Sequence, residues 1–407
     1  MNRLTRLATG ALLTLSVVAP TTAAVPPHWV ASWQASPQPV WDDAFLFPSG
    51  IPQALDDQTF RQTARISLGG PRLRVRLSNA YGTAPLRIGA ASVAGDGGTT
   101  ALALSFDGEP GTVIGPGQER LSDPLALPTR DLQAVQVDVH VPARTPLQTF
   151  HWDGRQTSAI APGNQTGAVA LRGSTSTTAR LFLSGIDVEA PATARSVVVI
   201  GDSITDGATA SLDRDQRWTD HLAARLAPQG VAVVNAGISG ARLLRDGMGA
   251  SALARFQRDV LDQPGVASVV VLIGINDISW PGTAFARGEA RPSLTKLEDG
   301  YRRLVERAHA HGVRIVAATL PPFAGALPGT PLDDYYQPGK DALRRQVNAW
   351  LREGSPFDAV IDLDAALRDP ADPSRLAPAF DSGDHLHPGD AGNAAMAEAA
   401  ERAVLGK

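Results

Sequence analysis

The chain has 407 residues, of which 43% are hydrophobic and 19% are charged, and its formal net charge at pH 7 is -4. This composition is typical of a globular protein, and the length allows two or three domains. Because the chain contains no cysteine, a disulfide framework, a thiol nucleophile and a thiolate metal site are excluded. Scattered arginines and the absence of a basic run argue against nucleic acid as a partner.

Residues 1–24 have the pattern of a secretory signal peptide. Arg3 and Arg6 precede an apolar run from Leu7 to Pro20, and small residues follow up to Ala24. The apolar run is shorter than the roughly 20 residues that a membrane span needs. We therefore expect cleavage near Ala24, no stable membrane insertion, and a secreted protein, either extracellular or periplasmic.

Residues 25–190 are predicted to form a β domain. From about Thr59 to Val188 apolar and polar residues alternate, as in the stretches 72–77 and 135–141. This period of two is typical of half-buried strands. Glycine-containing breaks interrupt the strands at short intervals, and no helical stripe of 12 residues occurs. The pattern predicts an antiparallel β-sandwich.

Residues 191–407 have a different pattern, that of a β-α repeat. Nearly continuous apolar runs suit parallel strands that are covered on both faces, and they occupy residues 196–200, 231–235, 267–273, 313–319 and 359–363. Apolar residues at helical spacing occupy residues 217–226, 252–261, 293–311, 340–352 and 391–404. We expect a domain with five parallel strands, whose ligands bind at the carboxyl ends of the strands.

The first of these strands ends in Gly201-Asp202-Ser203. A serine just past a buried strand can present its hydroxyl at the edge of the sheet. The usual nucleotide-binding motifs are absent from this turn, as is the G-x-S-x-G elbow. Taken alone, the tripeptide is equally consistent with Asp202 or Ser203 capping the next helix.

The next two strands end near Gly237, in Asn235-Ala236-Gly237, and near Asn276, in Gly274-Ile275-Asn276. An oxyanion hole needs uncharged donors close to the nucleophile, and the N–H groups of Ser203 and Gly237 with the Asn276 amide are suitable. The alternative is that Gly237 and Asn276 only form turns.

The segment before the last helix contains Asp384 and His387. Residues three apart in a turn can share a face, so Asp384 can reach Nδ1 of His387 and leave Nε2 facing Ser203. His385 is predicted to point elsewhere. A competing hypothesis is a metal site, which ligand type alone allows, built from Asp381, Asp384, His385, His387 and Asp390.

Together these motifs resemble those of the SGNH hydrolases, also called GDSL-type esterases, over about residues 195–405. The resemblance implies a three-layer α/β/α, flavodoxin-like domain in which Ser203 is the nucleophile, His387 the base and Asp384 its partner. It further implies that Ser203, Gly237 and Asn276 form the oxyanion hole, without a cofactor or metal. Ile204 stands where the family name has leucine. The N-terminal part, around Trp29 to Trp33, looks like that of secreted two-domain bacterial members.

We therefore predict a secreted serine esterase that acts on short-acyl or acetyl esters of carbohydrates. The alternatives are a lipase or arylesterase acting on longer or aromatic esters, and a noncatalytic glycan-binding protein. The β domain either shields one flank of the α/β domain or binds substrate, and the sequence does not determine the oligomeric state. Loop aromatics that suit stacking on a substrate, or packing, are Trp280, Phe285, Phe323, Tyr335 and Tyr336.

Overall fold

The computed structural model describes residues 27–42, 44–95 and 100–406. The predicted signal peptide over residues 1–24 lies outside this part of the chain. Within the described residues, no helix is both long and apolar enough to cross a membrane.

The first half of the chain is a β domain of short strands. The strands are β1 (Trp29–Gln34), β2 (Gln38–Pro39), β3 (Ala54–Leu55), β4 (Gln58–Arg65), β5 (Leu73–Ser78), β6 (Leu86–Ile88), β7 (Ala90–Ala94), β8 (Ala101–Ala103), β9 (Thr112–Ile114), β10 (Glu119–Leu121), β11 (Ala134–Val141), β12 (Thr145–Pro146), β13 (Thr149–His151), β14 (Ser158–Pro162), β15 (Thr175–Thr177), β16 (Arg180–Leu181) and β17 (Leu183–Glu189).

The two main sheets of this domain have the strand orders β15-β14-β4-β11-β7-β8 and β1-β17-β5-β10. Their strand pairs are antiparallel, as the sequence predicts. Strand β11 pairs with β4 over eight residues, and Val135, Val137 and Val139 point into a fully buried core. Alternation along such strands buries one face of each sheet, which is consistent with the predicted sandwich.

The second half is an α/β domain. Its strands are β18 (Arg195–Gly201), β19 (Val231–Gly237), β20 (Val266–Leu272), β21 (Arg314–Ala318) and β22 (Ala359–Ile361). Its helices are α1 (Ser203–Asp206), α2 (Trp218–Leu226), α3 (Ala252–Phe256), α4 (Ile275–Ser279), α5 (Leu294–Ala310), α6 (Pro338–Glu353), α7 (Leu363–Leu367) and α8 (Asp390–Leu405).

The five strands form one parallel sheet in the order β19-β18-β20-β21-β22. This is the flavodoxin-like order 2-1-3-4-5, and the helices on its two faces complete the predicted three-layer α/β/α domain. One group of packed helices contains α2, α7 and α8, and another contains α3, α4, α5 and α6. The apolar runs predict the strands well because both faces of the sheet are covered.

Three helices are missed by the sequence patterns, namely α1, α4 and α7. Each has four or five residues and begins directly after a strand, at its carboxyl end. Such helices are too short to show a helical period. The predicted helix over 252–261 is also divided, because α3 is followed by a π-helical turn over Gln257–Leu261.

The two domains share a buried interface. Strand β1 lies against the α/β domain, and the Ala31 N–H donates to Pro264 O at 2.9 Å. The Ser67 hydroxyl donates to Val233 O at 2.5 Å, and the Gln34 amide donates to Asp259 O at 2.9 Å. Both domains therefore pack as parts of one hydrogen-bonded body.

Arg344 of α6 is a buried cation that joins three elements. Its guanidinium contacts Asp341 at 2.7 Å, Asp364 of α7 at 2.6 Å and Leu320 O at 3.0 Å. Removing one member of a buried ion pair leaves a charge without its partner. We expect Arg344→Ala to lower the free energy of unfolding by about 3 kcal/mol, measured by denaturant titration.

Arg345→Ala is the matched control for this prediction. Arg345 is the next residue of α6 and contacts the same Asp341, at 3.3 Å, but its side chain is 66% exposed. We expect it to change the free energy of unfolding by less than about 1 kcal/mol. Equal losses in the two variants would contradict the structural role of Arg344.

Candidate active site

The carboxyl ends of β18, β19 and β20 open into one cleft of about 220 Å³. Ser203 follows β18, Gly240 follows β19 and Asn276 follows β20, and all three line the cleft. The segment before α8 brings Asp384 and His387 to the same place. The fold thus gathers at one edge of the sheet residues that lie as many as 184 positions apart.

Ser203, His387 and Asp384 form a chain of hydrogen bonds. His387 Nδ1 lies 2.6 Å from Asp384 Oδ2, and His387 Nε2 lies 2.8 Å from Ser203 Oγ. A carboxylate only accepts hydrogen bonds, so Nδ1 carries the ring hydrogen and Nε2 offers a lone pair to the hydroxyl. This geometry allows the imidazole to take the serine proton.

Asp384 is held as an anion. Burial by itself raises the pKa of this carboxyl, but the hydrogen bond and charge of His387 outweigh that effect. The N–H groups of Leu386 and His387 also donate to Asp384 Oδ1, at 2.9 and 2.8 Å. Together these contacts hold the pKa of Asp384 well below its ordinary value, so the carboxylate stays available to orient His387.

His385 does not face Ser203. Its Nδ1 contacts Asp381 Oδ2 at 2.5 Å. Asp390 accepts hydrogen bonds from the N–H and hydroxyl of Ser211, at 2.9 and 2.6 Å. Asp381 thus pairs with His385, Asp384 pairs with His387, and Asp390 binds Ser211. The five residues of the competing metal hypothesis therefore do not face one common point. Among the residues that the structure describes, no three His, Asp or Glu side chains are grouped as metal ligands.

Ser203 is the first residue of the short helix α1. Asp202 precedes it as the N-cap and accepts the Ile204 N–H at 3.0 Å, while Gly207 ends the helix with φ of 100°. Capping by Asp202 and nucleophilic use of Ser203 are thus compatible, because different side chains serve the two purposes. As the first residue of the helix, Ser203 has an N–H with no partner inside the helix, and no acceptor among the residues that the structure describes takes it.

The structure does not bring the Gly237 N–H to the cleft. This N–H donates to Asn235 Oδ1 at 2.8 Å, and a Cβ at Gly237 would lie 2.3 Å from the backbone nitrogen of Asp206. Gly237 is still part of β19, where it is paired with Gly201 of β18. Its lack of a side chain allows close packing against α1, which differs from the predicted role as a donor.

Gly240 occupies the position expected of Gly237. It lines the cleft beside Ser203, and within the described residues no acceptor takes its N–H. Its φ is +71°, and a Cβ there would lie 2.5 Å from Met248 Sδ and 2.9 Å from the Trp280 ring. A signal was present in the sequence, since the motif Asn235 to Gly240 contains two glycines. Choosing between them requires knowing where β19 ends.

Two neighbours orient the Asn276 side chain. The Tyr335 hydroxyl donates to Asn276 Oδ1 at 2.8 Å, and Asn276 Nδ2 donates to Ala241 O at 2.9 Å. Burial raises the pKa of Tyr335 well above its usual value, so the phenol keeps its proton and remains a donor. These contacts fix the orientation of the amide. One N–H of Asn276 Nδ2 donates to Ala241 O, and the other is left for a ligand.

A buried carboxylate also anchors the loop that follows Gly240. Asp277 accepts the N–H groups of Leu243 and Leu244, at 2.6 and 2.9 Å. Burial raises the pKa of Asp277 to about 6, against the opposing effect of these N–H groups. Asn276 and Asp277 are adjacent, so α4 positions an amide in the cleft and holds the neighbouring loop with the next side chain.

One wall of the cleft is aromatic, and both domains contribute to it. Phe47 and Trp152 of the β domain stack with ring centroids 5.8 Å apart, and Trp280 and Phe285 of the α/β domain stack at 4.5 Å. Phe47 also meets Phe285 edge to face at 5.4 Å. We call Phe47, Trp152, Trp280 and Phe285 the aromatic wall.

The five loop aromatics singled out from the sequence have different surroundings. Trp280, Phe285 and Tyr335 line the cleft. Phe323 is fully buried and Tyr336 packs on it with centroids 5.3 Å apart, so these two are packing residues.

Residues 199–395 match the model of the GDSL-like Lipase/Acylhydrolase family. The fold and this match together define a carboxylic-ester hydrolase. The α/β domain belongs to the GDSL-like lipase/acylhydrolase family, as the sequence motifs predict. Among curated proteins, none matches the chain.

Several solved structures are similar to this half of the chain. A GDSL-like lipase from Bacteroides thetaiotaomicron VPI-5482 is 19% identical, with 52% of this chain and 88% of that chain covered and a TM-score of 0.39. An aryl esterase from M. smegmatis is 18% identical, with 52% and 99% covered and a TM-score of 0.42. The acetylxylan esterase Axe2 from Geobacillus stearothermophilus is 24% identical, with 52% and 94% covered and a TM-score of 0.37.

The burial of Asp202 generates a prediction about stability and pH. Burial raises the pKa of Asp202 in the folded protein to about 7, whereas an unfolded aspartate has a pKa of about 3.9. Between these values the folded state binds one more proton, so this residue's contribution to the free energy of unfolding falls as pH rises from about 4 to about 7.

Asp202→Asn keeps an oxygen that accepts the Ile204 N–H and removes the charge. We expect the Tm of the variant to exceed that of the wild type at pH 8, with a difference that shrinks toward pH 4. Thermal unfolding followed across this range by circular dichroism measures the effect. Parallel Tm profiles for the two proteins would show that Asp202 does not titrate in this way.

Proposed function

We propose that the chain is a serine esterase in which Ser203 attacks the ester carbonyl and His387 is the general base. The observation that carries the proposal is the hydrogen-bonded chain Ser203, His387 and Asp384 in a cleft that Gly240 and Asn276 also line. His387 takes the Ser203 proton as the Oγ–carbon bond forms. Asp384 holds the ring in the required tautomer and stabilises the imidazolium.

The tetrahedral intermediate carries a negative oxygen, which three uncharged donors bind. These are the N–H groups of Ser203 and Gly240 and the Nδ2–H of Asn276. His387 then donates its proton to the leaving alcohol, and the acyl group remains on Ser203. A water molecule, deprotonated by His387, attacks the acyl-enzyme and releases the acid, and the proton returns to Ser203.

The cleft favours an ester with an aromatic or medium-length apolar group over an acetylated sugar. Beside the aromatic wall, the cleft is lined by Met248, Leu327, Leu332 and Leu386. Apart from the reacting groups, its polar side chains are those of Asp153, Thr209, Ser239 and Tyr335. A sugar ring would bury hydroxyl groups with few partners, which costs binding energy. The lining therefore supports the second of the substrate classes that the sequence leaves open.

We also propose export of the protein, which rests on the pattern of residues 1–24 alone. Amino-terminal sequencing of the mature protein recovered outside the cytoplasm tests it, with cleavage expected near Ala24.

The first test concerns the reacting groups. Ser203→Ala should abolish ester hydrolysis with the fold retained, and a serine-directed phosphonate should label Ser203 alone.

His387→Ala should lower kcat by several powers of ten, by analogy with other serine hydrolases. His385→Ala is the matched control, and we expect less than about a tenfold change because that ring is turned to Asp381. A reversed ranking of the two histidines would make His385 the base.

The second test concerns the acyl group. With 4-nitrophenol as the constant leaving group, kcat/KM should rise from the acetate to the hexanoate, and glucose pentaacetate should be a poor substrate. Phe47→Ala and Trp152→Ala should each lower kcat/KM for the hexanoate by about 10-fold, since a buried ring contact is worth about 1.5 kcal/mol or more. For the acetate we expect less than about a threefold change.

Leu46→Ala is the control for this series. Leu46 precedes Phe47 on the same segment, is 39% exposed and does not line the cleft, so its removal should leave both esters unaffected. A preference of the wild-type enzyme for acetylated sugars, or equal effects of Phe47→Ala on both esters, would overturn the proposed substrate class.

A further inference from the structure

His151 belongs to the β domain and contacts the α/β domain. It is the last residue of β13, and its ring is buried at the interface. Its Nδ1 lies 3.0 Å from Ser36 O in the β domain, and its Nε2 lies 2.9 Å from Asp206 Oδ1 in the α/β domain. This side chain therefore joins the two domains next to the cleft.

His151 contacts an oxygen acceptor of each domain. A backbone carbonyl oxygen and a carboxylate oxygen are both acceptors, so the ring bridges two groups that cannot bond to each other directly. Burial by itself raises the pKa of Asp206, but the charge and hydrogen bond of His151, helped by Arg217 and Ser239, bring that pKa below its ordinary value. Both side chains of this contact are buried.

Asp206 connects this contact to the two elements that form the cleft. It is the last residue of α1, the four-residue helix that begins at Ser203. Its second oxygen, Oδ2, accepts both the N–H and the hydroxyl of Ser239, each at 2.8 Å. Ser239 immediately precedes Gly240, which lines the cleft beside Ser203. The Asp206 carboxylate thus connects α1, which begins at Ser203, to the loop that contains Ser239 and Gly240.

We propose that His151 is a positioning residue for ester hydrolysis, through which the β domain holds the Ser239-Gly240 loop in register with Ser203. The proposal rests on the proposed function, because the loop matters only if Gly240 binds the oxyanion. Without His151, Asp206 is a buried carboxylate that has lost its partner from the β domain, and its hydrogen bonds to Ser239 no longer have a fixed anchor. A donor displaced by about 1 Å loses much of its effect on the transition state.

The experiment compares His151→Ala with His140→Ala in the full chain. His140 is also a buried histidine paired with an aspartate, Asp57, at 2.9 Å, but both residues lie within the β domain. We expect His151→Ala to lower kcat for 4-nitrophenyl butyrate by about 10- to 100-fold, with KM changed by less than about threefold. His140→Ala should lower the Tm and leave kcat unchanged, with kcat measured well below both Tm values.

A double-mutant cycle with Asn276→Ala tests whether the effect passes through the oxyanion hole. Asn276→Ala alone should lower kcat by about 10²- to 10³-fold. If His151 acts by placing the Gly240 donor, the combined variant should lose less than the product of the two separate losses.

His151→Gln, which retains a neutral N–H near Asp206, should recover part of the lost kcat and serves as the test variant if His151→Ala does not fold.

The proposal is overturned if folded His151→Ala keeps the wild-type kcat, if it merely behaves as His140→Ala does, or if the losses in the cycle multiply. If only His151→Gln folds, a wild-type kcat in that variant overturns it. None of these outcomes affects the assignment of Ser203, which fails instead if Ser203→Ala remains active.

Discussion

Buried backbone N–H groups at the edge of the parallel sheet must find acceptors, and aspartate side chains meet this constraint throughout the site. Asp202 accepts from Ile204, Asp206 from Ser239, Asp277 from Leu243 and Leu244, and Asp384 from Leu386 and His387. Carboxylates on neighbouring elements or turns therefore hold the loops that line the cleft.

These carboxylates differ in how their charge is balanced. Contacts with His387 lower the pKa of Asp384, and contacts with His151 lower that of Asp206, so both carboxylates remain anionic. Among the described residues, Asp202 and Asp277 have no such contact with a histidine, and burial raises their pKa values to about 7 and about 6. This difference agrees with the proposed chemistry, which needs a negative charge beside His387. The N-cap contact of Asp202 needs only an acceptor oxygen, which a protonated carboxyl also has.

The two domains contribute different kinds of side chain to the cleft. The strand ends of the α/β domain carry the hydrogen-bonding groups, whereas Phe47 and Trp152 of the β domain extend the apolar lining of the cleft. The same interface contains the buried contact of His151 with Asp206. A β domain that only shielded a flank would contribute neither rings to the cleft nor a side chain that contacts Asp206. The contacts instead support a role in substrate binding.

The sequence by itself determined the five parallel strands, because their apolar runs are covered on both faces and need no partner to be recognised. It also predicted the contact between Asp384 and His387, which lie 2.6 Å apart, since a three-residue spacing within one turn is local. The choice of Gly240 over Gly237 depended on tertiary structure, because β19 extends to Gly237 only through its pairing with β18. His151 had no sequence signal at all. Its partner Asp206 lies 55 positions away in another domain, and only folding brings the two side chains together.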